Sequence, residues 1–292
     1  REEEMLKGEK WFATKALVLA AMLAYPLSSP ALAESKDTIR FGTQSISPGF
    51  GRPESGTASP SVYTLWPIYD TLTRVSTKGD VSGLLAESWK NIDKLTWHVK
   101  LKKGIKFHNG KAFTASAVAG QFDYLLNNKE AAGTVAFSTN KKQAFVASVK
   151  RIDDHTVEIK TTQGNPELPR QLAGFWIPDS ASRDDVGLDK FAKAPIGTGP
   201  YALVEFKGGV DGRVILKRKD GGVRQAKVGN LQVIAVPGAA GRVQGILSDQ
   251  LDIAQGVPFD SKGQLESGGH TMDVATRPSV MGLRFMSVRK SS

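Results

Sequence analysis

The chain has no cysteine in 292 residues. That excludes disulfide bridges, thiolate metal sites, a cysteine nucleophile, and the lipid-modified cysteine that tethers many exported bacterial proteins. Histidine is scarce as well. His98, His108, His155 and His270 stand alone, with no His-x-x-x-His or His-x-Glu pair, so there is no recognisable zinc motif. No Gly-x-Ser-x-Gly elbow marks a hydrolase serine. There is no internal repeat and no low-complexity tract. The apolar fraction of 40% and charged fraction of 23% are ordinary for a globular protein. They leave material for one large or two medium domains.

What is present begins with a targeting pattern. Lys7, Lys10 and Lys15 lead into the apolar run Ala16 to Tyr25 (ALVLAAMLAY). This run is too short to span a bilayer, which needs roughly 20 residues. Pro26 to Pro30 breaks it, and Ala31-Leu32-Ala33 supplies the small-x-small pattern of a cleavage site. Residues 1–33 are therefore expected to be a signal peptide removed after Ala33, giving a periplasmic protein that is not a lipoprotein. Arg1 to Glu4 precede a plausible start at Met5 and are expected to be extraneous. The net charge of +10 resides in the remainder, because residues 1–33 hold four basic and four acidic side chains. The basic residues are scattered, and the densest group (Lys100, Lys102, Lys103, Lys106) alternates like the solvated face of a strand. No nucleic-acid partner is expected; an acidic ligand or partner stays open.

Beyond Ala33 the pattern is mixed α/β. Thr38 to Ile46 reads as a strand, running into a Gly/Ser/Pro-rich loop from Ser47 to Pro60. Val62 to Tyr69 has helical spacing, with Val62, Leu65, Trp66 and Tyr69 on one face. Strands are predicted at Leu72 to Ser76 and Trp97 to Leu101, with Lys78-Gly79-Asp80 as a turn. Thr114 has the character of an N-cap for a helix carrying Val118, Phe122, Leu125 and Leu126. Val146 to Ile152 and Thr156 to Lys160 form a predicted hairpin about Asp153-Asp154-His155. Two short helices are expected between Pro166 and Phe191. Strands follow at Tyr201 to Phe206, Val214 to Lys217 and Leu231 to Val236, then a helix at Ala239 to Leu247 and a strand at Leu251 to Ala254. Alternation of this kind favours an open α/β sheet.

Chemistry has few anchors. Gly197-Thr198-Gly199-Pro200 lacks the lysine of a phosphate loop, and its proline removes an amide donor. It reads as a tight turn whose glycines supply unusual φ. Asp153-Asp154 reads as a pair of solvated turn formers. Trp66, Trp89, Trp97, Trp176 and Phe107 could line a pocket, but each alone fits a core or interface position.

Several of these segments resemble the extracytoplasmic peptide and nickel-type solute-binding family that serves ABC importers. The likeness is carried by Tyr69-Asp70-Thr71-Leu72, Leu85-Ala86-Glu87-Ser88-Trp89 and Thr96-Trp97. It continues through Leu101-Lys102-Lys103-Gly104-Ile105-Lys106-Phe107-His108-Asn109-Gly110 and Phe113-Thr114-Ala115. Ala194 to Tyr201 (APIGTGPY) matches a second hallmark, and Leu247-Ser248 with Leu251-Asp252-Ile253-Ala254 a third. Three departures stand out. Ser116-Ala117 replaces the family's acidic residues after Phe-Thr-Ala, which removes favourable charge from a helix N-terminus. Asp249 replaces a glycine, and is less comfortable there if the site is left-handed. Members of the family are also considerably longer than this chain.

The resemblance implies a type II periplasmic-binding-protein-like α/β fold with the second lobe largely missing. Residues 34–58 and 168–272 would form the first lobe and 59–167 an inserted subdomain. Residues 273–292, including Pro278 to Val288, would begin a hinge strand into the absent lobe. It implies a non-enzymatic, monomeric protein without cofactor or bound metal, capturing a peptide or other small solute for an ABC importer permease. Nickel complexes, opines and sugars remain open as solutes; a truncated, non-binding fragment and an exported α/β enzyme are the alternatives. The ligand-facing residues would lie in the loop after the first strand: Thr43, Gln44, Ser45, Ile46, Ser47, Pro48, Gly49 and Phe50.

Overall fold

A computed structural model describes residues 37–46, 49–55, 61–128, 131, 145–208 and 211–274. The expected signal peptide (1–33) and the expected hinge strand (Pro278 to Val288) lie outside the described residues.

Among the described residues the first element is strand β1 (Thr38–Thr43), which is shorter than the predicted strand to Ile46. Two single 3-10 turns (Gly49–Gly51, Pro53–Ser55) precede helix α1 (Val62–Leu65). That helix was expected to reach Tyr69. It stops where Pro67 can donate no amide hydrogen bond, and the carbonyls of Pro67 and Ile68 turn away to serve partners over 130 residues downstream. The short strands β2 (Asp70–Thr71), β3 (Thr73–Val75) and β4 (Val81–Gly83) follow. β3 and β4 form a hairpin. Next come β5 (Ala86–Asn91) and β6 (Thr96–Leu101). β5 was not predicted: it lies on a sheet edge with mostly exposed polar residues, so it lacks an apolar alternation.

Helix α2 (Ala115–Asn127) buries Val118, Phe122 and Leu125 as its spacing required. Thr114 is its N-cap residue, in extended backbone, but its hydroxyl caps nothing. The orphan amide of Ala115 instead finds the carbonyl of Asp154 at 2.8 Å. The hairpin of β7 (Val146–Asp153) and β8 (Thr156–Thr161) thus does the work that Ser116-Ala117 cannot. Strands β5, β6, β8 and β7, in that order, make an antiparallel sheet against which α2 packs. Val99, Leu101, Val157, Ile159 and Phe122 belong to the resulting core.

The next stretch holds α3 (Leu168–Gln171), β9 (Trp176–Ile177), α4 (Ser180–Val186) and α5 (Leu188–Lys193). Three short helices form where two were expected, because Gly187, at φ +80°, breaks α4 from α5. Strands β10 (Tyr201–Lys207), β11 (Arg213–Arg218) and β12 (Asn230–Ala235) precede helix α6 (Ala239–Leu247), β13 (Ile253–Ala254) and α7 (Lys262–Ser267). α7 escaped prediction since Leu265 is its one buried residue. These strands and β1 form a five-stranded sheet, β10-β11-β12-β1-β13, antiparallel from β10 to β12 and parallel on both sides of β1. One face carries Val214, Leu216 and Val233 against Phe50, Ile68 and Tyr69. The other packs Val243, Ile246 and Leu251 beneath α6. Among the described residues no helix is long and apolar enough to cross a membrane.

The first two sequence hallmarks meet at one junction. Gly199 and Tyr201 donate their amides to the carbonyls of Ile68 (2.9 Å) and Pro67 (3.0 Å). The glycines of this turn are not there for unusual φ, as expected, since neither is left-handed. They are there for proximity: a Cβ on Gly197 would meet Ile68 O at 2.1 Å, and one on Gly199 would meet Pro67 O at 2.3 Å. His108 seals the other side. Its amide donates to Gly197 O, its Nε2 donates to Gly199 O at 2.9 Å, and its Nδ1 accepts from the Gly197 amide at 3.4 Å. Beneath it, buried Asp70 accepts from Thr198 Oγ1 (2.8 Å) and Arg224 Nε (2.6 Å). Arg224 also reaches the carbonyls of Trp66 and Tyr69.

Asp249 sits at φ +54°, so the site is left-handed, the case in which an aspartate is less comfortable than a glycine. Left-handed backbone costs an L-residue about 1–2 kcal/mol, part of which a glycine's extra unfolded-state entropy cancels. Asp249→Gly should therefore raise unfolding stability by about 0.5–1 kcal/mol in denaturant melts. At the junction, burial holds the pKa of His108 below its ordinary 6.5, reinforced by nearby Lys219 and opposed by the Gly199 bond and Asp70. The unfolded chain then binds more protons than the folded one below about pH 6.5, so stability falls as pH drops through that window. Unfolding measured between about pH 7.5 and about pH 5 should show this slope, and His108→Gln should flatten it.

Candidate functional site

Strand β1 is flanked by parallel neighbours, with Phe41 paired to Val233 on one side and Ile253 on the other. Parallel pairing brings three carboxyl ends, at Thr43, Ala235 and Ala254, to the same edge of the sheet. In open α/β sheets the crevice beyond such ends is where ligands are received. The loops leaving this edge are tied to β1: Val236 donates its amide to Thr43 O (2.7 Å), and Gln255 donates to Gly42 O (2.9 Å). Arg242, buried within α6, ties them to each other. Its Nη1 donates to the carbonyls of Val236 (2.6 Å) and Pro237 (2.9 Å), and its Nη2 to that of Gly256 (2.8 Å). Gly256 takes φ +70° to present that carbonyl.

An open cleft of about 660 Å³ lies beside this edge. One wall is the aromatic pair Phe41–Tyr63, with ring centroids 5.1 Å apart. The segment from Asp252 to Val257 lines another side, and His270 to Asp273 a third. Asp252 is engaged: Arg40 holds its carboxylate through Nε and Nη2, both at 3.0 Å, and through its backbone amide at 2.7 Å. The side-chain bond from Arg40, more than any other cause, keeps the Asp252 carboxyl below the usual carboxylate range. Gln255, in the same wall, is a neutral polar side chain of the cleft, together with Tyr63 and Thr271. Among the described residues no group of three or more His, Asp or Glu could hold a metal ion.

The loop singled out from sequence divides in two. Gln44 and Ser45 are exposed, at the mouth of the sheet edge. Thr43 is fully buried, and its hydroxyl has no hydrogen-bond partner. Ile46 is half-buried against the apolar face that holds Phe50. Ser47 and Pro48 lie outside the described residues, and Gly49 begins a 3-10 turn. Phe50 is buried, its ring edge-on to Phe206 at 5.3 Å, and its carbonyl accepts the Tyr69 hydroxyl at 2.5 Å. Sequence reasoning did not pick out Arg242, Gln255 or the Phe41–Tyr63 pair. For Arg242 a signal existed: it is the one charged residue in the run Ala239 to Leu247.

Residues 80–290 match the family model described as bacterial extracellular solute-binding proteins, family 5, middle. The chain belongs to this family. The nickel-binding protein NikA of Staphylococcus aureus is 25% identical over 201 residues, covering 68% of this chain and 38% of that protein. The oligopeptide-binding protein AppA of Bacillus subtilis is 32% identical over 155 residues, covering 49% of this chain and 27% of AppA. Among solved structures, the Helicobacter pylori periplasmic binding protein DppA, in complex with the peptide STSA, superposes with a TM-score of 0.68 at 21% identity. That match covers 79% of this chain and 48% of DppA. The fold is that of the type II periplasmic binding proteins. The family-5 chain spans less than half the length of each of these relatives.

Replacing the bracing arginine should loosen the edge. Arg242→Met keeps the aliphatic stem but leaves the carbonyls of Val236, Pro237 and Gly256 without their donor. A loss of about 2–4 kcal/mol of unfolding stability in denaturant melts is expected, since each buried group left unpaired costs about 1–3 kcal/mol and some will recruit water.

Proposed function

We propose that the chain serves as the first lobe of a periplasmic substrate-binding component of an ABC importer. Its solute would be received at the carboxyl edge of β1, β12 and β13. The observation that carries this reading is the edge itself: three parallel carboxyl ends, two loops braced by one buried arginine, and the exposed Gln44 and Ser45 at the end of β1. In a two-lobed binder the solute lies between lobes that close on it, so this edge supplies one face of the site and closure supplies the rest. Residues 34–58 and 168–272 form the receiving lobe in this reading, and 59–167 an inserted subdomain that braces it.

The solute class is a small molecule with hydrogen-bonding backbone or amide groups, of which a peptide is the first candidate. AppA is named for oligopeptides and DppA was solved with a tetrapeptide; an extended peptide offers amides and carbonyls to polar loop residues such as Ser45 and Gln255. NikA is named for nickel, so a metal complex carried as cargo is the alternative within the same role. The protein acts by binding and handing over, without catalysis, as a free periplasmic form after removal of residues 1–33.

Calorimetric titration of the 292-residue chain with a peptide pool, a nickel–histidine mixture and an opine tests the reading. Saturable heat with one class is expected, and Ser45→Trp, which fills the mouth of the edge from an exposed position, should weaken it at least about tenfold with an unchanged unfolding midpoint. Unaltered affinity in that variant removes the loop from the site. Absence of heat with every class sinks the binding role for this chain and leaves the non-binding fragment.

A further inference from the structure

Away from the cleft, three side chains converge from three elements with their polar demands half met. Glu54 comes from the second 3-10 turn after β1, Gln121 from α2 and Arg183 from α4, and each is at least 95% buried. Arg183 Nη1 donates to Gln121 Oε1, and its Nε donates to Asp184 Oδ1 at 3.0 Å. The guanidinium lies over the Tyr124 ring at 4.0 Å from the centroid, and the Tyr124 hydroxyl donates to Glu54 Oε1 at 3.4 Å. Tyr124 therefore stands between the two opposite charges and brings them close without letting them touch.

Three buried atoms are left without a partner: Glu54 Oε2, Gln121 Nε2 and Arg183 Nη2. Unpaired buried polar atoms are rare in native proteins and each needs an explanation. Here they are an acceptor and two donors. A cation would face the guanidinium, and an anion would face the carboxylate. A neutral molecule that accepts two hydrogen bonds and donates one satisfies all three, which is the usual coordination of a buried water. Water cannot be replaced here by protein movement at low cost, because Gln121 and Arg183 are already locked to each other.

We propose that Glu54 Oε2, Gln121 Nε2 and Arg183 Nη2 hold one ordered water, which completes a solvent-bridged ion pair between Glu54 and Arg183. Burial pushes the Glu54 carboxyl up, and its backbone hydrogen bond and then Arg183 offset that only in part. The bridge joins the second of the two 3-10 turns, which follows the one carrying Phe50, to the helices α2 and α4. Next to it the Tyr69 hydroxyl, sensitive to both Glu54 and Arg183, holds the Phe50 carbonyl. The water thus anchors the far end of the segment that leaves β1, whether or not that segment receives a solute.

A high-resolution crystal structure of the full chain decides it. A single density peak is expected within about 2.7–3.2 Å of all three atoms, with no anomalous signal there after a bromide soak. An empty site, direct contact of Glu54 Oε2 with Arg183 Nη2, or a bromide peak would each overturn the proposal. In solution, oxygen-17 relaxation dispersion should count one fewer long-lived water in Gln121→Met than in the parent chain; an unchanged count in a folded variant contradicts the assignment. If that variant does not fold, the density in the parent crystal settles the matter by itself.

Discussion

The structure depends on a close approach of backbone to backbone at Gly197-Thr198-Gly199. Two carbonyls, of Pro67 and Ile68, are delivered by a helix that ends one turn early, and two amides, of Gly199 and Tyr201, come to meet them. Nothing larger than hydrogen fits on either glycine. Everything around the contact is arranged to keep water out of it and leave no polar group unpaired. His108 covers one side as a neutral ring, and Asp70, Thr198 and Arg224 close the other. A buried charge such as Asp70 is tolerable only when paired and hydrogen-bonded, and both of its oxygens are.

From that contact the two sheets take their places. The segment that leaves it as β2 leads toward the antiparallel sheet of β5 to β8, and the segment that leaves it as β10 begins the sheet centred on β1. The first two family hallmarks, scattered along the sequence, are thus neighbours in space, and their side chains serve the scaffold. The third, Leu247 to Ala254, lies instead at the edge offered to a solute, which other residues complete. Arg242 holds the loops there, Arg40 and Asp252 pin the two-residue strand β13, and Phe41 and Tyr63 wall the cleft. A strand of two residues has little ladder of its own, so the ion pair beside it has structural weight.

Much of this was legible beforehand. Helices α2 and α6 announced themselves by their apolar stripes, the hairpin of β7 and β8 by its Asp-rich turn, and the left-handed site at Asp249 by its departure from glycine. The elements that stayed hidden share a physical cause. β5 is an edge strand with polar residues on most positions, and α7 buries one leucine, so neither carries the periodicity that burial imposes. The close approach at Gly197 and Gly199 was read as a matter of φ because a sequence cannot say what lies opposite a glycine. For the loop after β1, the sequence identified a polar, flexible composition. That Phe50 and Ile46 are packed inward while Gln44 and Ser45 face solvent depends on contacts with Tyr69 and Phe206, which are remote in the chain.

The junction has a kinetic side as well. Its members come from positions 67–70, 108, 197–201 and 224, so no short stretch of chain can assemble it. Contacts of such long sequence separation form late, after the entropy of closing large loops has been met. A nascent chain must therefore reach about residue 224 before this junction can be completed. Delay of this kind is written into the spacing of two glycines and a histidine.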